Sequence, residues 1–129
     1  MTTLQNKRVL ITGASSGIGR AMAISMANRG AELFLLARRK DKLEELQREL
    51  LEINHKLKVT LIVADVTSKE LPSLLGKVCH EKLDVLINNA GLAIGRDKVE
   101  DSKLEDWDTM IDVNVTANFR VARTVLPWM

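Results

Sequence analysis

Four small groups of residues in this chain have the types and spacing for chemistry. The first is Thr12-Gly13-Ala14-Ser15-Ser16-Gly17-Ile18-Gly19. Glycines at this spacing let a backbone turn tightly and come close to a ligand. A helix starting inside such a turn adds unpaired N–H groups and the positive end of its dipole, so the stretch suits a phosphate anion. An ordinary tight strand-to-helix turn is the plainer alternative. The second group is Arg38-Arg39, whose planar guanidinium forks match phosphate oxygens; a solvated basic turn is the alternative. The third pairs Asp65-Val66 with Asn88-Asn89-Ala90-Gly91. The fourth is Asn114, set between Val113 and Val115, where asparagine is a poor helix former and costly if buried unpaired.

These groups need elements to position them, and strand and helix patterns alternate along the whole chain. Apolar runs over residues 8–12, 32–37, 58–64 and 84–88 read as strands. The second is apolar almost throughout, as expected of a strand covered on both faces. Between them fall helices, the first over residues 17–29, with Gly30 placed as its terminating glycine. The next covers residues 41–51 and puts Leu43, Leu46, Leu50 and Ile53 on one face, with Asp41 and Glu44 resembling a capping box. A third starts near Ser68, because Pro72 is tolerable only in a first turn. A long final helix is expected over residues 104–126 and is apolar on more than one face.

This βα alternation predicts one α/β domain over residues 1–129, a doubly wound parallel sheet of order 3-2-1-4 with helices on both faces. Gly13, Arg38, Asp65 and Asn89 all follow strand C-termini, so one edge of the sheet collects them. Ligands bind such sheets at that edge, where strand order reverses.

Composition narrows the classes. The chain is 46% hydrophobic and 28% charged, with a net charge of +2 and no long basic run, so neither nucleic acid nor a membrane is an expected partner. No apolar run reaches transmembrane length, and the first eight residues lack the apolar middle of a signal peptide. Cys79 is the only cysteine, which excludes an intrachain disulfide and fits a cytoplasmic location. It reads as a buried apolar residue, with a reactive thiol as the lesser alternative. His55 and His80 read as surface residues, Trp107 and Trp128 as packing groups, and no metal site is expected.

With these residues in place, the chain resembles the N-terminal half of a short-chain dehydrogenase/reductase. Residues 12–19 match that family's T-G-x-x-x-G-x-G turn, Asn88-Asn89-Ala90-Gly91 its N-N-A-G, and Asp65-Val66 the pair after its third strand. Asp112-Val113-Asn114-Val115 matches the helix segment carrying the family's asparagine. Residues 89–95 and 105–112 are most similar to NADP-dependent 3-hydroxy acid (serine-type) dehydrogenases. The resemblance implies a Rossmann-type fold and a cofactor site built from Gly13, Ser15, Ser16, Gly17, Ile18, Gly19, Arg38, Arg39, Asp65, Val66, Asn89, Ala90 and Gly91. It implies that Asp65 and Val66 edge an adenine and that Asn89-Ala90-Gly91 approach the nicotinamide-side ribose. It gives Asn114, the one family catalytic position present, a bend in its helix and a water in a proton relay. A surface asparagine is the alternative for Asn114; a structural tie is the alternative for Asn88 and Asn89 and the favoured reading of Asn88, with Asn89 nearer the cofactor.

Arg38 and Arg39 narrow the cofactor. A site for NAD places a carboxylate at the end of the second strand, where it would repel an adenosine 2′-phosphate. Two arginines there predict NADP(H). Asp41 in a shifted register would serve an unphosphorylated ribose, but a helix cap explains it better.

The family completes its chemistry with a serine and a Y-x-x-x-K motif, and this chain contains no tyrosine. The expectation is therefore a cofactor-binding half, incomplete at its C-terminus and inactive alone, with a small hydroxyl/carbonyl substrate only in a completed protein. The fourth strand would then be an open edge and the final helix partly uncovered, predicting self-association or pairing. A non-catalytic NADP(H)-binding module and a structural half-domain partnering a full-length relative are the alternatives.

Overall fold

The computed structural model describes residues 3–129. Four parallel strands form one sheet in the order β3-β2-β1-β4: β1 Arg8–Thr12, β2 Glu32–Ala37, β3 Val59–Val63 and β4 Val85–Ile87. Leu10 faces Phe34 on one side and Leu86 on the other, and Phe34 in turn faces Thr60. The alternation and order match the sequence reading.

Side chains alternate across the sheet, and each face has its own core. Val9, Ile11, Leu33 and Leu35 pack on helices α1 (Gly17–Asn28) and α2 (Lys40–Ile53) through Ala23, Ala27, Leu43, Leu46 and Leu50. Leu10, Phe34, Leu36 and Ile62 face the other way. They meet α3 (Leu71–Cys79) and α5 (Ala117–Val125) through Leu71, Leu75, Cys79, Val121 and Val125. Covering both faces is why the central strands read as unbroken apolar runs.

Helix ends show where local signals sufficed. Gly30, at φ +86°, donates to the Ala27 carbonyl at 3.0 Å, and Ala31 donates to Met26 at 3.2 Å, the paired bonds of a glycine-terminated helix. Three expectations need correction. Helix α2 starts one residue early, at Lys40, with Arg39 at its N-cap; Asp41 lies in the first turn, where its charge suits the dipole without capping. Ile53 ends that helix exposed rather than on the buried stripe. Helix α3 starts at Leu71 rather than near Ser68, whose hydroxyl instead accepts from the Glu70 amide at 3.3 Å.

The expected final helix is not uniform. It comprises α4 (Leu104–Ile111), a π turn (Asp112–Thr116) and α5, in which the Ala117 amide donates to Asp112, five residues back. A short 3₁₀ turn (Leu126–Trp128) ends the chain, and the Trp128 carbonyl accepts from Leu83 at 3.0 Å.

The strand N-termini, opposite the ligand edge, carry a polar cluster around Arg8 and Asp84. The Asp84 carboxylate accepts from the Arg8 amide at 2.9 Å. The Arg8 guanidinium lies 4.8 Å from the Phe34 ring centre, with its Nε 3.4 Å from Glu32. Burial pushes the nearby Cys79 thiol up to about 11, partly countered by Arg8. This is a packing cysteine, not a poised thiolate.

Candidate cofactor cleft

The turn after β1 is built for close approach. Gly13 has φ +62°, and a Cβ there would sit 2.9 Å from Ala90 Cα. A Cβ on Gly19 would collide with the Gly13 carbonyl and the Asn89 side chain. Only glycine fits either place. The Ala14 amide is tied to the Leu36 carbonyl at 3.2 Å, anchoring the turn across β2. At the start of α1, the N-cap Ser16 is extended and its side chain caps no amide. The first-turn N–H groups thus keep their capacity for an anion.

Beside this turn lies a cleft of about 970 Å³ along the C-terminal ends of the strands. Gly13, Ser15 and Ser16 line it from the turn, and Arg38 and Arg39 from the end of β2. Asp65 and Val66 line it after β3, and Asn89, Ala90 and Gly91 after β4. Ten of the residues singled out in the sequence therefore meet in one concavity. The other four lie elsewhere: Gly17 and Gly19 shape the turn, Ile18 projects from α1 with 73% of its surface exposed, and Asn114 sits behind the cleft wall against Leu92.

Asp65 is shaped by its own loop. Its carboxylate accepts from the Thr67 amide at 2.9 Å and the Thr67 hydroxyl at 2.7 Å. The amide bond is the largest cause holding Asp65 below the usual carboxylate value, against an opposing effect of burial; the Thr67 hydroxyl and Arg38 add to the lowering. Asp65 is thus a committed anion, able only to accept.

The two neighbouring asparagines divide their work. Asn89 reaches the cleft, but its amide is spent on the carbonyls of Thr12 and Gly13, each at 3.2 Å. Asn88 turns to the other side and donates to the Asn118 carbonyl at 2.9 Å. Asn114 uses its whole carboxamide on Leu92, accepting from its N–H at 2.8 Å and donating to its carbonyl at 2.7 Å.

Sequence reasoning missed several contributors. Thr12, fully buried, accepts from the amides of Asn89 and Ala90, each at 3.0 Å. Its position before Gly13 was visible, but nothing local marked its partner. Asp108, Thr109, Asp112 and Val113 also line the cleft, brought there by α4 and the π turn. Their one signal was the resemblance of residues 105–115 to the family's segments, which gave them no place in the cleft.

The short chain dehydrogenase family profile matches residues 7–129. The chain is 43% identical over 131 residues to an NADP-dependent 3-hydroxy acid dehydrogenase of Schizosaccharomyces pombe, covering 98% of this chain and 50% of that protein. An uncharacterized oxidoreductase of Staphylococcus aureus is 37% identical over 132 residues, covering 100% and 55%. The chain thus spans about half the length of these curated relatives. Among solved structures, L-sorbose reductase of Gluconobacter frateurii, complexed with NADPH and L-sorbose, superposes with a TM-score of 0.88 at 32% identity, covering 98% of this chain and 49% of that one. NAD⁺-bound xylitol dehydrogenase superposes at 0.91 and 31% identity, covering 98% and 49%.

Proposed function

The chain belongs to the short-chain dehydrogenase family, and from that premise we propose that it is the NADP(H)-binding half of an oxidoreductase. The observation that carries this reading is the meeting of Arg38 and Arg39 with the Gly13–Ser15–Ser16 turn in one cleft. The turn and the open start of α1 hold the pyrophosphate, and the arginines take the adenosine 2′-phosphate. Asp65 and Val66 border the adenine, and Ala90 and Gly91 let the nicotinamide-side ribose come close. Gly17, Ile18 and Gly19 set the shape of the turn, and Asn114 holds the loop behind it. The NADP-dependent 3-hydroxy acid dehydrogenase and the NADPH complex of L-sorbose reductase support the phosphorylated cofactor, while NAD⁺-bound xylitol dehydrogenase has the same fold with the other one.

When bound, the cofactor supplies a hydride for a hydroxyl/carbonyl pair. The name of the 43%-identical relative makes a 3-hydroxy acid the substrate proposed for the completed protein. This chain holds no tyrosine to serve as the family's acid/base, so it binds cofactor without turning substrate over. Its one cysteine, buried and free, supports a reducing compartment, the cytosol. Among the described residues no helix is long and apolar enough to cross a membrane.

A second reading concerns partners. Leu104, Trp107, Ile111, Val115 and Phe119 recur every three or four residues and are all exposed, Phe119 by 76%. Among the described residues β4 pairs on one side only, with β1. This apolar stripe supports self-association of the chain. Titration of the chain with NADPH and NADH tests the main reading: saturable binding that favours NADPH is expected, and no binding of either makes it a structural half-domain.

A further inference from the structure

We infer that Asn118, which lies outside the sequence motifs quoted above, is a positioning residue for the cleft wall at Gly91 and Leu92. The wall depends on Asn114, whose carboxamide is bonded to both the N–H and the carbonyl of Leu92. Gly91 is packed against the same side chain; a Cβ there would be 3.2 Å from Asn114 Oδ1. Gly91 and Leu92 both line the cleft.

Asn114 sits in the π turn, which makes its position a matter of register. A π turn carries its main-chain bonds one residue further than an α-helical turn, so its carbonyls slip against the donors of the next turn. Asn118 Nδ2 supplies the Asn114 carbonyl with a donor at 2.8 Å that does not depend on that register. Asn118 is anchored in turn, its own carbonyl accepting from Asn88 Nδ2 at 2.9 Å. Three carboxamides therefore link the end of β4 through α5 and the π turn to Leu92. Loss of the Asn118 amide releases Asn114 from the helix side, and the Leu92 bonds loosen with it.

The protein itself supplies the conservative replacement. Thr109 and Thr124 each donate a hydroxyl to the carbonyl four residues back, at 2.9 and 2.7 Å. Asn118→Thr can make the same bond to Asn114, and Asn118→Leu cannot.

The test is amide hydrogen exchange at Leu92 in the chain without cofactor, followed by NADPH titration; only the second readout rests on the proposed function. In Asn118→Leu the Leu92 amide should exchange roughly fivefold faster, with NADPH binding weakened by a similar factor. Asn118→Thr should restore both to within about twofold of the parent. If Asn118→Leu does not fold, Asn118→Asp, similar in shape but without an N–H, takes its place. Unchanged Leu92 exchange in the donor-less variant, or Asn118→Thr behaving like it, overturns the inference. A parent chain that shows the exchange pattern but binds no NADPH supports it while overturning the cofactor reading.

Discussion

Thr12 and Asn89 are bonded twice across the end of the sheet. The Thr12 hydroxyl accepts from the Asn89 amide at 3.0 Å, and the Asn89 side chain donates to the Thr12 carbonyl at 3.2 Å. β1 and β4 part at this point, and the Ala90 amide that would be orphaned where the ladder ends finds the Thr12 hydroxyl, which the Asn89 amide shares with the Ile87 carbonyl at 3.1 Å. The glycine turn and the Asn89–Gly91 segment are thereby held as one unit, with Gly13 close against Ala90.

Thr12→Val should expose the worth of that link. It leaves the Ala90 amide without its acceptor and the Asn89 amide with the Ile87 carbonyl alone, while keeping the side-chain shape, and should cost about 1–3 kcal/mol in urea unfolding. Thr12→Ser keeps the hydroxyl and should recover most of the loss. Equal stability of Thr12→Val and the parent would contradict this account.

Arg38→Ala should change cofactor preference rather than stability. NADPH affinity should fall by about 10- to 100-fold, the scale of a charge-assisted phosphate contact, while NADH affinity stays level. Calorimetric titration of both nucleotides reads the ratio directly. A preserved preference in Arg38→Ala and in the Arg38→Ala/Arg39→Ala pair would refute the 2′-phosphate assignment.

Gly19→Ala should abolish nucleotide binding. The added methyl meets the Gly13 carbonyl, which is backbone and can move only by opening the turn. Gly76 has open space around it, so Gly76→Ala is the matched control within a helix, expected to stabilise by a few tenths to about 1 kcal/mol. Retained NADPH binding in Gly19→Ala would show that the turn has slack the structure does not have.

Acid should weaken the fold through two carboxylates. The Arg8 amide bond is the main cause holding Asp84 below its usual value, opposed by burial and helped by Lys82 and Lys7. Asp65 is lowered likewise, chiefly by the Thr67 amide. Folded values below the unfolded one mean that their stabilisation is complete above the unfolded carboxylate pKa of about 3.9 and is lost as pH falls through the folded values. Urea midpoints should thus be level near neutrality and drop below about pH 4. Asp84→Asn should start lower and decline less steeply, and an acid limb as steep as the parent's would remove Asp84 from the explanation.

The exposed stripe should govern assembly. Replacing Ile111 and Phe119 together by Asp should shift the chain toward monomer in sedimentation velocity at ~10 µM. A parent that already sediments as a monomer would dispose of the self-association proposal.

Much of this protein could be read from neighbouring residues. Strand and helix succession, the Gly30 stop and the glycine turn depend on contacts within a few positions, where periodicity and backbone preference act directly. The strand order followed because right-handed crossovers leave few ways to arrange four parallel strands. The convergence of Gly13, Arg38, Asp65 and Asn89 was legible for the same reason, since a parallel sheet places all its strand C-termini at one edge.

What only the tertiary structure decided lies in pairings far apart in sequence. Asn114 had looked like a helix residue at odds with its apolar neighbours, where the family resemblance implied a bend; the helix there carries a π turn, and the residue's place is set by Leu92, twenty-two positions away. Asp108 and Asp112 drew no site role from the sequence, and α4 and the π turn carry them to the cleft. Thr12 read as the last residue of a strand until β4 brought two amides to its hydroxyl. Local periodicity fixes which face a residue shares with its neighbours. The partner across that face depends on sheet register and helix placement, which are set by the whole core at once.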